Sequence, residues 1–318
     1  MINLSIPVSN FDLDKKAPTW KKFLNEITDG NKELISFLQR LFGYALSGSG
    51  TYHIFPVFYG SGRNGKGTLM ETIASILTLE LAIAIEVAVL EQKRFSNGHG
   101  PTPTIADVKG KRIVWADEWD ESKVLDTATV KSWTGGNTLS GRDLYKSNSR
   151  FKSSHVLFLL TNNIPMTKHR DQAYMDRLLL VEFPNRFVDN PTKVNEYQVD
   201  RTLCDKLWRE RPGILAWMVR GYLEWLKQGL NPPDCVKPQH YHAKLVTDQV
   251  KEFMLGACER IEGSKEKVGT LYKRYKYWCS LNNLVAETLT TFGKYLDLLG
   301  YKKMHSAYVY VLGIRLKD

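Results

Sequence analysis

The chain has 318 residues, 43% of them apolar and 25% charged, with a formal net charge of +10. That apolar share excludes global disorder, and the length allows about two domains. The cationic excess favours a polyanionic partner. No signal-peptide layout opens the chain, and Asp12 and Asp14 interrupt its start. The most apolar run, ILTLELAIAIEVAVL, carries Glu80 and Glu86 and is too short and too charged to span a bilayer. Cys204, Cys235, Cys258 and Cys279 lie far apart with no C-x-x-C pair, as thiols of a reducing compartment do. A cytoplasmic protein without a membrane partner is expected.

In chain order, WKKFLNEI and KELISFLQRLFGYAL each place apolar residues at helical spacing, and SGSG ends the second helix. From about residue 52, short buried strands alternate with helices. IFPVFY, RIVWAD, HVLFLLTN and RLLLVEF read as strands; KGTLMETIASIL and SKVLDTATVKSW read as helices. Near-continuous apolar strands separated by helices predict an α/β fold with a mainly parallel sheet covered on both faces. Residues 198–229 read as helical, with Trp208, Trp217 and Trp225 as packing residues, and NPPDCVKP reads as a linker. The last 83 residues carry 14 Lys/Arg against 8 Asp/Glu. Three helical stretches there precede YKKMHSAYVYVLGI, which reads as a hairpin, so a small winged-helix-like module is expected. The predicted organisation is an N-terminal helical segment (1–50), a phosphate-loop core (51–190), a helical lid and linker (191–235) and a basic module (236–318).

Gly60, Ser61, Gly62, Arg63, Asn64, Gly65 and Lys66 satisfy G-x-x-x-x-G-K between a strand and a helix. Glycines let backbone N–H groups turn onto phosphate oxygens, the helix N-terminus adds positive potential, and Lys66 would reach the β- and γ-phosphates. This predicts an ATP site. Gly67 departs from the pattern, because most such loops place a Ser or Thr hydroxyl on magnesium at that position. Thr68 follows and could hold Mg2+ directly or through a water. The GKGT ending also occurs in adenylate-kinase-like proteins, so the loop alone leaves two enzyme classes open. RIVWADEWD ends an apolar strand in Asp117 and Glu118. Asp117 would hold magnesium and Glu118 would orient or deprotonate the attacking water. HVLFLLTNNIP ends the next buried strand in Thr161 and Asn162, whose amide could contact the γ-phosphate or the lytic water. DQAYMDRLLLVEF places Arg177 just before another strand.

Taken together, these motifs resemble the superfamily 3 helicases, most closely the poxvirus/phage primase-helicase branch. The most specific feature is VKSWTGGNTLSGRDLYKSNSRF, where the branch's Lys, Gly-Gly-Asp, Arg and Leu-Tyr-Lys fall on Lys131, Gly135, Gly136, Arg142, Leu144, Tyr145 and Lys146; Asn137 replaces the Asp. The resemblance covers about residues 19–300. It implies an AAA+-like ATPase, a phage, plasmid or mobile-element replicative helicase acting in the host cytoplasm. It further implies a ring, usually a hexamer, around single-stranded DNA at a fork, with ATP between subunits and a primase or polymerase as partner. It assigns Asn162 as the sensor asparagine and Arg177 as an arginine finger reaching the neighbour's γ-phosphate. It also implies a DNA-contacting hairpin with its tip near Lys146, flanked by Arg142 and Arg150. Two alternatives stay open. One is a nucleoside-phosphate kinase, which predicts an acceptor pocket and DNA-independent turnover. The other is a non-catalytic origin-binding or scaffold protein with a vestigial site, for which Gly67 and Asn137 speak.

Overall fold

A computed structural model describes residues 11–92, 103–120, 123–141, 149–165, 171–282 and 284–317. The chain divides into two units, residues 1–238 and 239–318.

The first unit begins with helices α1 (Pro18–Ile27) and α2 (Lys32–Ser47). Trp20, Phe23, Leu24 and Ile27 recur at helical spacing and bury one stripe of α1. Pro18 suits the first turn, where no intrahelical N–H is needed. No local side chain caps this helix. The Glu210 carboxylate instead accepts from the Thr19 and Trp20 amides, 3.0 Å each, from 190 residues away. Asn31 caps α2 by accepting from the Leu34 amide, and Gly48 ends it in the left-handed region.

The core then runs β1 (Phe55–Tyr59), α3 (Lys66–Leu81), β2 (Ala82–Ala84), α4 (Pro103–Asp107), β3 (Ile113–Ala116) and α5 (Thr127–Thr134). It continues through β4 (Thr138–Gly141), β5 (Ser149–Lys152), β6 (Val156–Thr161), α6 (Gln172–Met175) and β7 (Leu178–Glu182). Five of these strands form one sheet in the order β2-β3-β6-β1-β7, and every pairing is parallel. All six residues of β6 are buried, as a strand covered on both faces requires. Phe58 and Phe158 carry the sheet's aromatic layer onto Phe42 of α2; the Phe42 and Phe158 rings stack at 5.6 Å. The helix expected over residues 122–133 starts only at Thr127. Leu125 bridges Glu91 instead, and Asp126 caps the helix by accepting from the Ala128 amide.

After β8 (Arg186–Val188) and β9 (Glu196–Gln198), helices α7 (Leu203–Arg209) and α8 (Arg211–Gln228) return to cover α1 and α2. The α2–α8 crossing is close. A Cβ on Gly221 would stand 1.9 Å from the Gln39 carbonyl, and one on Gly43 would stand 2.1 Å from the Tyr222 nitrogen. Only glycine allows that approach.

The second unit contains most of α9 (Pro238–Ala257), followed by β10 (Cys258–Lys267), α10 (Val268–Leu281), α11 (Leu289–Leu298), β11 (Lys303–His305) and β12 (Val309–Leu316). Its core gathers Phe253, Leu271, Tyr275, Phe292, Val311 and Ile314. The expected terminal hairpin is β11–β12. Strand β10 is not legible in the sequence: most of it is exposed, it lacks apolar alternation, and its register shifts between Arg260 and Lys265. The sheet order is β10-β12-β11, all antiparallel.

Candidate active site

The phosphate loop connects the C-terminal end of β1 to the N-terminus of α3. Gly60 has φ +141°, and a Cβ there would meet the Phe183 carbonyl at 2.4 Å. Gly65 has φ +87°, and its missing side chain leaves room for Ile27 and Phe23 of α1. Both positions therefore require glycine for conformation and for space. Arg63 also adopts a positive φ, of 62°. Asn64 is buried; its amide donates to the Phe183 carbonyl at 3.4 Å, and its Oδ1 accepts from Lys66 Nζ at 3.1 Å. Lys66 Nζ also donates to the Gly60 carbonyl at 2.6 Å. The lysine is held against its own loop by two uncharged oxygens, and burial brings its ammonium down to about 8.

Strand β6 lies between β1 and β3, so the acidic pair is not on the strand beside the loop. The Asn162 strand occupies that place, and the Gly60 amide donates to the Asn162 carbonyl at 3.2 Å. All three strand ends nevertheless open into one cleft of about 450 Å³, lined among others by Lys66, Thr68, Glu71, Asp117, Glu118 and Asn162. Glu118 holds φ +58°, a backbone state that costs on the order of 1–3 kcal/mol in a non-glycine residue. Strain of that kind clusters at active sites and ligand clamps. Among the described residues, no three His, Cys, Asp or Glu side chains group closely enough to hold a metal ion by themselves. Magnesium needs less: one or two carboxylates, substrate phosphates and water. Thr68 and Asp117, the expected ligands, both line the cleft.

A second cavity, of about 410 Å³, shares Arg63, Gly65 and Thr68 with the cleft. Phe23, Phe187 and Leu203 give it apolar walls, and Asp189, Asp200 and Arg201 give it polar ones. Sequence reading missed it, because its walls come from segments separated by some 180 residues.

Arg177 is not in the cleft. It immediately precedes β7, and its carbonyl accepts from the Phe55 amide at the start of β1. The five residues of β1 put it about 16 Å along the sheet from the loop. Its Nη1 donates to the Ala173 carbonyl, while its buried Nε has no partner among the described residues. Asp171 caps α6 by accepting from the Ala173 amide and forms an ion pair with Lys131 of the Gly-Gly segment. That hydrogen bond to Lys131 is the main reason the Asp171 carboxyl lies below its ordinary range.

The expected hairpin is present as β4 and β5, pairing Thr138 with Lys152 and Ser140 with Arg150. Arg150 is exposed. Arg142 and Lys146 lie outside the described residues. In the second unit, a cleft of about 690 Å³ is lined by Lys267, Lys273, Lys294, Lys303, His305 and Tyr308. Lys267 Nζ sits 4.0 Å over the Tyr308 ring, and Asp297 pairs with Lys303 at 2.9 Å.

No family model matches the chain. Over 325 aligned residues, 94% of this chain, it is 27% identical to "Putative helicase L207/L206" of Acanthamoeba polyphaga mimivirus. It is 26% identical over 178 residues to "Primase D5" of Fowlpox virus, a match covering 54% of this chain and 22% of that protein. The chain spans about a third of the mimivirus protein, 34% of its length. Among solved structures, the apo A form of the NrS-1 C-terminal region superposes with a TM-score of 0.53 at 12% identity, covering 95% of this chain and 78% of that one. The chain is therefore similar to viral proteins named as helicases and primases, and it shares its α/β fold with the NrS-1 region. Both relatives are viral; neither is from a phage or plasmid. Among the described residues, no helix is long and apolar enough to cross a membrane.

Proposed function

We propose that the protein is an ATP-dependent DNA helicase of the superfamily 3 type, acting in replication of a viral or mobile-element genome. One observation carries this reading. The first unit gathers Lys66, Asp117, Glu118 and Asn162 around one cleft and keeps Arg177 at the opposite end of the same strands. Lys66 would neutralise the β- and γ-phosphates, Glu118 would orient or deprotonate water, and Asn162 would position the γ-phosphate or that water. Thr68 and Asp117 would hold magnesium, which when bound neutralises phosphate charge. The neighbouring cavity, with Phe23 and Phe187 as apolar walls, would take the base and ribose. Arg177 cannot reach its own loop, which supports action in trans within a ring. The β4–β5 hairpin would track single-stranded DNA. The second unit, with helices α9 to α11 and a three-stranded antiparallel sheet, would serve as a winged-helix-like module, and its lysine-lined cleft would take a phosphate backbone.

ATP turnover with and without single-stranded DNA tests this reading. DNA-stimulated hydrolysis is expected. Turnover that needs a nucleotide acceptor and ignores DNA would point to a kinase, and absence of turnover with DNA binding intact would point to a scaffold. Lys146→Ala with Arg150→Ala should spare basal hydrolysis. It should also lower the salt slope of single-strand affinity by roughly 0.7 for each phosphate that the hairpin no longer neutralises.

A further inference from the structure

Gly67 removes the hydroxyl that such loops usually offer to a metal, and the neighbouring turn of helix offers a replacement. Among the described residues, a Cβ built at Gly67 would meet one heavy atom within 4 Å beyond its neighbouring backbone, Glu71 Oε1 at 4.0 Å. Residues four apart on a helix share a face, so Glu71 projects its carboxylate over the gap that Gly67 leaves. Glu71 lines the phosphate cleft together with Asp117 and Glu118. Among the described residues, the cleft's lining holds three carboxylates against two positive side chains, Arg63 and Lys66. Those carboxylates weaken the hold of the loop's N–H groups on a bare polyanionic nucleotide and favour one that arrives with a divalent cation.

We infer that Glu71 supplies, directly or through a bound water, the oxygen ligand for the nucleotide-associated divalent cation that Gly67 cannot supply. The inference rests on the nucleotide reading above. It has a consequence that a hydroxyl ligand lacks: because Glu71 is charged, it opposes nucleotide when no metal is present and favours it when metal is.

Binding of a fluorescent ADP analogue to the full chain, titrated with Mg2+ from chelated to millimolar, tests this without relying on turnover. Glu71→Ala replaces an exposed helical residue by a better helix former, so the fold should be kept. The Mg2+ concentration needed for half-maximal binding should rise roughly 10–100-fold, the range seen when metal-supporting groups are removed. Metal-free binding should be unchanged or tighter than in wild type. Gly67→Ser fits the space at that position and, added to Glu71→Ala, should recover most of the lost metal sensitivity. Unchanged Mg2+ dependence in Glu71→Ala would overturn the inference, as would tighter binding of that variant at every Mg2+ concentration. A shift confined to Thr68→Ala would overturn it too, by giving the ligand to Thr68. Wild-type protein that binds no nucleotide at any Mg2+ concentration would overturn the reading of the loop itself, and Glu71's role with it.

Discussion

The two ends of the same parallel strands are built from different materials. At the C-terminal ends, β1, β3 and β6 lead into glycines with positive φ, a strained Glu118 and a buried lysine bonded only to neutral oxygens. At the N-terminal end of β7, Arg177 stands on ordinary helix-cap and ion-pair chemistry: Asp171 caps α6, Lys131 pairs with Asp171, and Ala173 receives the guanidinium. The first end gathers Lys66, Thr68, Glu71, Asp117, Glu118 and Asn162 around one cleft, and Arg177 is not among its lining residues. The second end presents a cation with no phosphate loop within reach. A rigid sheet keeps these halves about five residues of strand apart, so one chain cannot join them. That separation is the ground on which we propose completion of the site by a second copy.

The largest effect should come from destroying the first end alone. Lys66→Ala should leave the fold intact and abolish ATP turnover, whereas Glu118→Gln should bind ATP and stall hydrolysis, since an amide cannot act as a base. Steady-state turnover with separate nucleotide-binding measurements distinguishes the two. A folded Lys66→Ala protein turning over within a few-fold of wild type would remove that lysine from the site.

Next in size is the loss of the second end. Arg177→Ala should bind nucleotide normally and lose about 10³–10⁵ in turnover, the range for an arginine finger. Mixing Arg177→Ala with Lys66→Ala subunits should restore part of the activity, because some interfaces pair an intact loop with an intact arginine. No recovery at any ratio, with subunit exchange verified, would end the division of labour between the two ends.

Smaller effects should follow from loosening the support of Arg177. Asp171→Asn and Lys131→Ala each remove the ion pair that links the Gly-Gly segment to the capped turn before Arg177. Turnover should fall by up to about 100-fold through misplacement of the arginine, with nucleotide affinity unchanged. Acid should mimic Asp171→Asn. The folded-state pKa of Asp171 is depressed, so its support is present above the unfolded value and is lost as pH falls through the folded one. An affinity loss without a turnover loss would place this pair in the first end instead.

The subtlest effect is a proton. With the Lys66 ammonium held down to about 8, the lysine of the nucleotide-free protein is largely neutral at pH 9. Bound phosphates favour its charged form. Nucleotide binding at pH 9 should therefore take up a proton, and affinity should decline as pH rises through about 8. Calorimetry in buffers of different ionisation enthalpy reads the uptake directly. No uptake at pH 9 would mean that Lys66 is already charged before phosphate arrives.

Much of the loop-bearing half was legible as strands, turn and helix because its determinants are local. G-x-x-x-x-G-K needs only a short run of consecutive backbone conformations, and the acidic and Asn motifs each sit at the end of an apolar run that announces its own strand. Residues 142–148, at the expected hairpin tip, are legible only as sequence. Tertiary structure alone decided three things. It set the order of strands, placing β6 between β1 and β3, because parallel pairing joins residues that no local pattern connects. It capped α1 with Glu210, a partner 190 residues distant that no N-terminal signal could reveal. It also turned the Gly67–Glu71 face of α3 into the cleft that Asp117 lines. Helical spacing placed both residues on one face, but whether that face met Asp117 or solvent depended on how α3 packs against the sheet.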